Sequence, residues 1–484
     1  MRGAARGTAA IAIALAALLP GAASAEDDDE REAKPLLEAA EDEARPSPSG
    51  LPGFMRHKRR MRADDLADKV EGGYFTGLPL ANSDPDTGVG FGARVLYFHN
   101  GARDSAMFAY TPYRHRAYGQ AFFTTKGWQY HTLDYDGLYL GDAPVRLRAS
   151  LVYERNIAAN YFGAGARSLG RLRFPGDDRA YADYGEYADA LRTVQPEGAA
   201  YTRYDQYILE RPLATATLER DLFGGVVRAL VGFTASRVNV RQWSGELVKA
   251  VVPGEDREVD ARQAPTRLAE DCAAGRVIGC AGGFNNTLKL GLAYDTRDFE
   301  PNPNSGWFVE LTGELAGRPV GSEYDWARLT FSPKVYWSPL PALADVVLAA
   351  RRVTQVQSDG VPYFAMNGMS VTDYNRAGLG GLRTLRGYKQ DRFVGRATVL
   401  ANLELRWTMF ELAPARRQHF AFMLVPFLDV GRVFDTPSDC ELRRFRHGQG
   451  AGLRIAWNQA TIVVVDYAFS REHSTLYINF NHPF

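Results

Sequence analysis

Short runs in which apolar and polar residues alternate constrain this chain more than any other feature. From 287 to 297, every second position is apolar, at Leu288, Leu290, Leu292 and Tyr294. The runs 399–408 and 452–457 repeat the pattern. A period of two is that of a β-strand, whose successive side chains point to opposite faces. The positions between hold Gly, Asn, Thr and a few charges of both signs, as a crowded barrel interior would. The pattern predicts an all-β transmembrane barrel, with a soluble secreted β-protein as the alternative.

Sixteen candidate strand cores follow from this pattern, and their spacing favours an antiparallel barrel. They are 88–98, 105–113, 117–126, 129–140, 145–155, 204–220, 226–241, 285–297, 306–315, 323–336, 343–355, 397–411, 420–432, 448–457, 460–469 and 474–483. The long intervals, at 156–203, 242–284, 356–396 and 433–447, all follow odd-numbered strands. Outer-membrane barrels have this asymmetry, with short periplasmic turns and long outer loops. In such a barrel, both termini of the chain lie on the periplasmic side.

The first residues carry the signals of export. Arg2 and Arg6 precede an apolar run from Ala9 to Leu19 and small residues up to Ala25, which predicts a signal peptide over 1–25. That apolar run is too short to span a bilayer as a helix. Residues 26–73 are charged and poor in apolar residues, which predicts a disordered periplasmic linker. The barrel is then assigned to 74–484, in the bacterial outer membrane.

The composition narrows the possible chemistry. The chain has 57 basic and 57 acidic residues, so its formal net charge is zero and nothing points to a nucleic-acid partner. Cys272 and Cys280 lie close together and favour a loop disulfide in an oxidising compartment, which leaves Cys440 over. No serine-hydrolase elbow, zinc-protease helix or phosphate-binding loop motif occurs. We therefore expect no enzyme, no cofactor and no metal site.

The interval 356–396 carries an unusual tetrad, Leu385-Arg386-Gly387-Tyr388. This tetrad resembles the motif of the lumen-entering loop in the BamA/TamA superfamily, the sixteen-stranded barrels of the bacterial surface antigen type. Further segments of 280–484 resemble the same family: Asp295-Thr296-Arg297-Asp298 followed by Pro303 and Gly306; Phe427-Leu428-Asp429-Val430-Gly431; Gly450-Ala451-Gly452-Leu453-Arg454; Asp466; and a terminal Phe484. In this family the terminal Phe on the last strand is a signal for barrel insertion.

The resemblance implies a function and partners. It implies insertion or translocation of proteins or lipids at the outer membrane. Its partners would be outer-membrane lipids, nascent outer-membrane or secreted proteins, and the barrel assembly machinery for its own insertion. Residues 26–74 leave no room for the periplasmic POTRA domains of the family, so a passive channel or structural barrel stays as the alternative.

The tetrad also has a physical interpretation of its own. A buried Arg is costly unless its guanidinium meets a carboxylate, and Arg offers bidentate geometry that Lys lacks. Phe427, Asp429 and Gly431 share one face of their strand, so Asp429 would point into the lumen and Gly431 would leave room for a loop. We therefore expect the loop to fold inward and Arg386 to pair with Asp429, assisted by Glu404. The alternative is a surface loop with a solvated Arg386.

Two further expectations concern this loop and the barrel seam. Gly387 would permit a tight approach of the backbone, and Tyr388 would pack on the inner wall. At the seam, the predicted first strand carries glycines and the predicted last strand carries Asn and Pro: Gly88, Gly90, Gly92, Asn479, Asn481 and Pro483. Such residues weaken strand pairing, which suits either a seam that opens sideways or ordinary barrel curvature.

Overall fold

The computed structural model describes residues 51–484 except 57, 59, 62–65, 68, 85–87, 256, 299, 301, 341–344, 372–373, 377, 416–417, 442, 458–460 and 481. The predicted signal peptide and the linker up to residue 50 lie outside these residues. Within them, no helix is long and apolar enough to cross a bilayer.

Strands dominate the described chain. In chain order they are β1 Gly73–Asp84, β2 Gly88–His99, β3 His115–Thr124, β4 Gln129–Gly137, β5 Val145–Asn160, β6 Leu172–Phe174, β7 Asp177–Tyr181, β8 Ala199–Ala200, β9 Gln206–Leu222, β10 Val227–Gln242, β11 Leu247–Val251, β12 Glu258–Gln263, β13 Gly282–Phe284, β14 Thr287–Asp295, β15 Gly306–Ala316, β16 Trp326–Trp337, β17 Val346–Gln357, β18 Gly368–Ser370, β19 Tyr374–Arg376, β20 Ala397–Ala415, β21 Gln418–Phe434, β22 Arg446–Trp457, β23 Thr461–Phe469 and β24 Ser474–Phe480. The α-helices are α1 Tyr184–Arg192, α2 Arg267–Ala273 and α3 Tyr363–Met366. Short 3₁₀ turns cover Gly53–Met55, Leu140–Asp142, Gly165–Leu169, Phe223–Gly225, Arg318–Val320 and Pro437–Asp439.

Seventeen of these strands form one antiparallel sheet. Its strands follow one another in chain order, from β1 to β5, then β9 and β10, and so on to β24. The three-residue β13 and its successor β14 both pair with β10. Cα atoms of β1 and β24 come within 8 Å of each other, so the sheet curves into a barrel. Among the described residues, the backbone pairings of the sheet do not include one between these two strands.

The predicted alternation matches the two faces of the sheet. On β14, Leu290, Leu292 and Tyr294 are about half exposed on the outer face, whereas Ala293 and Asp295 are buried on the inner face. Exposed Leu, Phe and Trp residues recur on the outer face of β15, β16 and β20. An apolar outer face and a polar inner face are the arrangement of a barrel in lipid.

The connections divide the barrel into two ends. One end, here called the turn end, carries the connections 100–114, 138–144, 223–226, 296–305 and 338–345. The other, the loop end, carries the long connections 161–205, 243–286 and 358–396. The long intervals predicted from sequence therefore lie at one end of the barrel.

The long connections of the loop end are themselves folded. β8, β11 and β12 form a small sheet, β6 pairs with β7, and α1 packs its buried Tyr187 against Phe174 and Tyr181. Cys272, in the last turn of α2, forms a disulfide with Cys280, while Cys440 is free and exposed. These connections build a layer over the loop end.

Two strand assignments made from sequence are wrong. The first strand of the sheet is β1 rather than the predicted 88–98, which is β2. Pro79, with Gly77, Asn82 and Ser83 near it, hides the alternation of β1. A proline is tolerated there because, among the described residues, β1 pairs with β2 alone. The predicted strand 105–113 is a turn region whose Met107 and Phe108 are buried. The seam prediction placed Gly88, Gly90 and Gly92 on the first strand, and this part of it is wrong because they lie on β2.

The prediction of a disordered linker is also wrong for the described residues next to the barrel. Met55 is completely buried and packs against Met107, Leu138 and Tyr139 at the turn end. The sequence suggested disorder because apolar residues are few in this segment, but Leu51, Phe54 and Met55 pack against residues of the turn end. The segment before β1 is therefore part of the fold.

Candidate functional site

The connection between β17 and β20 folds back on itself before it reaches the barrel wall. Leu379 and Phe393 exchange backbone hydrogen bonds of 3.0 and 2.9 Å, which closes a loop with Arg386 near its middle. Inside this loop, the Thr384 hydroxyl accepts from the backbone N–H of Gly380 and lies 2.8 Å from the carbonyl oxygen of Gly378. We call residues 378–396 the inner loop. Its own hydrogen bonds fix its shape, so Arg386 is presented to the wall in one orientation.

Arg386 is completely buried against three acids from three strands. Its Nε and Nη2 donate to the two oxygens of Asp429 on β21, at 2.7 and 2.8 Å. Its Nη1 donates to Glu404 on β20 at 2.8 Å and to Asp466 on β23 at 3.0 Å. All four side chains have no exposed surface. The structure thus brings Arg386 onto Asp429 and Glu404, the two acids that the sequence singled out, and adds Asp466.

Other groups complete this network. The backbone N–H of Arg386 also donates to Asp429, at 3.0 Å, and the guanidinium stacks 3.5 Å from the ring centre of Phe427. Arg454 on β22 bonds Asp466 and lies 3.3 Å from Glu404. A buried acid is tolerated only when its charge is matched. Arg386, Arg454 and Arg406, which donates to Glu404 at 3.0 Å, match these three acids together. We call this set of residues the loop network.

Glycines on the inner loop and on the barrel wall allow the loop backbone to approach the wall closely. Gly387 has a φ of +86°, a conformation that other residues rarely adopt, and its carbonyl accepts from Ser470 at 2.7 Å. A Cβ on Gly448 of β22 would lie 1.8 Å from the carbonyl oxygen of Arg386. A Cβ on Gly431 would lie 2.9 Å from the side chain of Leu379, so the space that the sequence predicted there is filled by the loop.

The apolar residues of the tetrad pack as well. Leu385 is fully buried and Tyr388 nearly so, in a cluster with Leu379, Phe393 and Leu400. The ring of Tyr388 meets that of Phe393 edge to face, at 5.1 Å between centres. The inner loop is therefore held to the wall by charge and by apolar packing together.

Comparisons with known proteins identify the family. Residues 139–481 match the Omp85 superfamily domain, which is more than half of the chain. The chain belongs to the Omp85 superfamily. Residues 51–114 match a second family, described as a domain of unknown function (DUF5982). No curated protein matches the sequence.

A search of solved structures found partial likenesses to this chain. BamA from Haemophilus ducreyi, lacking POTRA domains 1–3, is 13% identical with a TM-score of 0.46; the match covers 85% of this chain and 69% of that one. CdiB from Escherichia coli is 11% identical with a TM-score of 0.47; the match covers 84% of this chain and 60% of that one. The prediction of a BamA/TamA-type barrel is confirmed by the family match.

In this Omp85 chain, a second arginine of the inner loop was missed from sequence. Arg392 is buried, donates to both carboxylate oxygens of Glu472 at 2.8 and 3.1 Å, and bonds the carbonyl oxygens of Ser168 and Gly170. It therefore ties the inner loop to two other connections of the loop end. The signal that could have found it is the same as for Arg386, an Arg beside an aromatic residue in a glycine-rich loop.

The strand-to-turn motif of the Omp85 chain lies elsewhere, at the turn end. Asp295 accepts from Arg297 at 2.9 and 3.0 Å, and Asp298 accepts from the backbone of Asn304 at 3.0 Å. Gly306, with a φ of +106°, closes this connection. The motif belongs to a separate group of ions and does not contact Arg386.

The C-terminal Phe484 is displaced from its predicted place. β24 ends at Phe480, whereas the last strand was predicted to reach 483. Phe484 instead lies against Tyr336 and the buried Val347 and Ala349, residues of the inner face. Its carbonyl oxygen accepts from Arg406 at 3.0 Å. Within the part of the chain that the structure describes, no cluster of three or more His, Cys, Asp or Glu is arranged to hold a metal.

Proposed function

We propose that this Omp85 barrel spans the bacterial outer membrane and acts in the insertion or translocation of proteins or lipids there. The observation that carries the proposal is the Omp85 match over 139–481. The apolar outer face of the sheet supports a position in lipid. Its partners would be outer-membrane lipids and nascent outer-membrane or secreted proteins, and the barrel assembly machinery would insert it.

The spanning unit is a barrel of sixteen strands with an inward-folded outer loop. β13 and β14 share one partner and count as one interrupted strand, which reduces the seventeen strands to sixteen. The turn end would then face the periplasm, with the segment before β1 on that side. The inner loop would occupy the lumen from the outside, because its contacts are with the polar face.

The loop network bears on the route of a substrate. Passage through the lumen would require Arg386 to leave three buried acids. Glu404 and Asp466 would keep other arginines, but Asp429 would lose the guanidinium that bonds both of its oxygens. The seam between β1 and β24 offers less resistance, since the two strands come close but, among the described residues, the backbone pairing of the sheet stops at each of them. A substrate strand would therefore be handled at the wall of the barrel, with the inner loop staying in place.

An insertion assay tests this function. The protein is reconstituted in liposomes, an unfolded eight-stranded outer-membrane barrel is added from urea, and its folding is followed by heat-modifiable migration. We expect faster folding than in bare liposomes, and a lower rate with Arg386→Ala than with the control Arg352→Ala, an exposed arginine on β17. Transfer of a labelled lipid between leaflets tests the lipid substrate in the same vesicles. A folding rate equal to that of bare liposomes, with no lipid transfer but a steady ion current, would contradict the proposal and favour the passive channel.

A further inference from the structure

Residues 51–114, which match the family of unknown function, contain β1 and β2 and two segments that lie before β1 and after β2. We define the cap as the described residues of 51–72 and 100–114, the segments before β1 and after β2. Lys69 joins the two, because its Nζ donates to the carbonyl oxygens of Phe108 at 2.5 Å and Thr111 at 2.6 Å. The backbones of Gly72 and Asn100 are hydrogen-bonded at 2.8 Å, next to the start of the β1–β2 hairpin. The cap is thus a continuation of the first two strands at the turn end.

Charged side chains beneath the cap are buried although they lie at the ends of their strands. They point to the inner face and are 1–8% exposed: Asp136 of β4, Arg146 of β5, Glu219 of β9, Arg228 of β10 and Asp295 of β14. At an open barrel end, water would hydrate such groups. Because these side chains are shielded from water, another part of the protein must cover the opening. We call these five residues the end network.

The cap contacts this network together with the connection 296–305, whose Glu300 accepts from Arg146 at 3.0 Å. Tyr113 donates from its hydroxyl to Asp136 at 2.9 Å, and Lys58 lies 4.0 Å from Asp295. Beside these polar contacts, Met55 is fully buried and Phe54 packs 5.2 Å from the ring of Tyr139. The cap therefore brings an apolar plug and two polar contacts to the same opening.

We propose that the family of unknown function supplies a seal that closes the turn end of the barrel to water and solutes. The seal is independent of the inner loop, since its contacts are with the end network and with none of the residues that bind Arg386. It goes beyond the proposed insertion activity, because a barrel can be sealed whether or not it handles a substrate.

A pair of glycines at the turn end allows a matched test. Gly225 has a φ of +93°, and a Cβ there would lie 2.1 Å from the carbonyl oxygen of Phe54 in the cap. Gly141 also has a positive φ, +59°, but a Cβ there would have no neighbour within 4 Å. Gly225→Ala and Gly141→Ala therefore both strain the backbone of a turn, but only the first displaces the cap.

The readout is the reactivity of a cysteine beneath the seal. Leu230 is buried on the inner face of β10, two residues from Arg228 in the end network. In the full chain with Cys440→Ser, Leu230→Cys is treated with a membrane-impermeant maleimide, and the Cys272–Cys280 disulfide does not react. We expect slow labelling in this background, labelling at least tenfold faster with Gly225→Ala, and no acceleration with Gly141→Ala.

Two results would overturn the seal. One is fast labelling in the starting protein; the other is equal labelling in the two glycine variants. If Gly225→Ala does not give a heat-modifiable barrel, Met55→Asp replaces it, because it removes the apolar plug without touching a strand. Labelling of Met55→Asp at the starting rate would likewise reject the proposal. The maleimide reaction needs no added substrate, so its outcome does not depend on the insertion activity.

Discussion

The inner loop and the cap are attached to the same barrel in different ways. In the loop network, one guanidinium from the loop bonds three acids of the wall, and all four groups are fully buried. In the end network, the ions mostly bond one another across neighbouring strands, as Arg146 bonds Asp136 at 2.7 and 2.8 Å. From the described residues of the cap, the hydroxyl of Tyr113 and the ammonium of Lys58, at 4.0 Å, contact these ions. The inner loop is therefore held to the wall by buried ion pairs, whereas the cap is held to the barrel mainly by apolar packing around Met55.

The largest effect is expected from removing the arginine of the loop network. Arg386→Ala removes the guanidinium that bonds both oxygens of the buried Asp429, while Glu404 and Asp466 keep Arg454. Breaking this buried pair costs about 3–5 kcal/mol of stability. The temperature at which the heat-modifiable form is lost should fall well below that of Arg352→Ala. Protease should then cut the inner loop. A transition equal to that of the control would show that the loop network does not secure the loop.

A smaller effect is expected from crowding the same contact. Gly448→Ala would place a Cβ 1.8 Å from the carbonyl oxygen of Arg386, and the loop or β22 must shift. Overpacking of this kind costs about 1–3 kcal/mol. Gly313→Ala is the matched control, because the nearest atom to its Cβ would be 3.9 Å away. Equal unfolding temperatures for the two variants would mean that the loop is not in contact with β22.

Much of the fold could be predicted from residues that are close in sequence, and the errors arose where distant contacts decide. The alternation of apolar and polar residues predicted the strands from β14 onward. It also predicted that Asp429 lies on the inner face, opposite its apolar neighbours. The roles of Asp466 and Arg454 depend on how four strands line up across the barrel, and the sequence contains no direct signal for that register. β1 was missed since Pro79 interrupts its pattern, which is harmless only on a strand paired on one side.

The same limit applies to the segments around the barrel. Leu51 to Met55 looked like part of a charged tail, and 105–113 was predicted as a strand although its apolar residues have no regular period. The two segments pack against each other, with Met55 on Met107, so neither could be assigned by itself. A pairing of two irregular segments cannot be recognised from periodicity.

At the cap, loss of a single polar contact should have a modest effect. Tyr113→Phe removes the hydroxyl that donates to Asp136, but this acid keeps both bonds to Arg146. We expect a loss of about 0.5–1.5 kcal/mol, confined to the cap. Hydrogen exchange of the amides in 105–113 should accelerate, while that of the inner loop stays unchanged. Tyr110→Phe, in the same connection, is the control. Faster exchange in both regions would mean that cap and loop are not independent.

The smallest effect is a pH dependence of the cap that the inner loop does not share. Burial, with a smaller contribution from Arg114, lowers the pKa of Lys69 from 10.5 to about 8. The folded cap thus favours the neutral amine, so its docking is least stable below pH 8 and gains stability as the pH rises from 8 towards 10.5. Exchange of the amides in 105–113, corrected for the intrinsic rate, should therefore slow over this interval. In Lys69→Met the corrected rate should stay flat. If both proteins gave the same sloped pH profile, the titration would belong to another group. If both gave a flat profile, the cap would be held independently of pH over this interval.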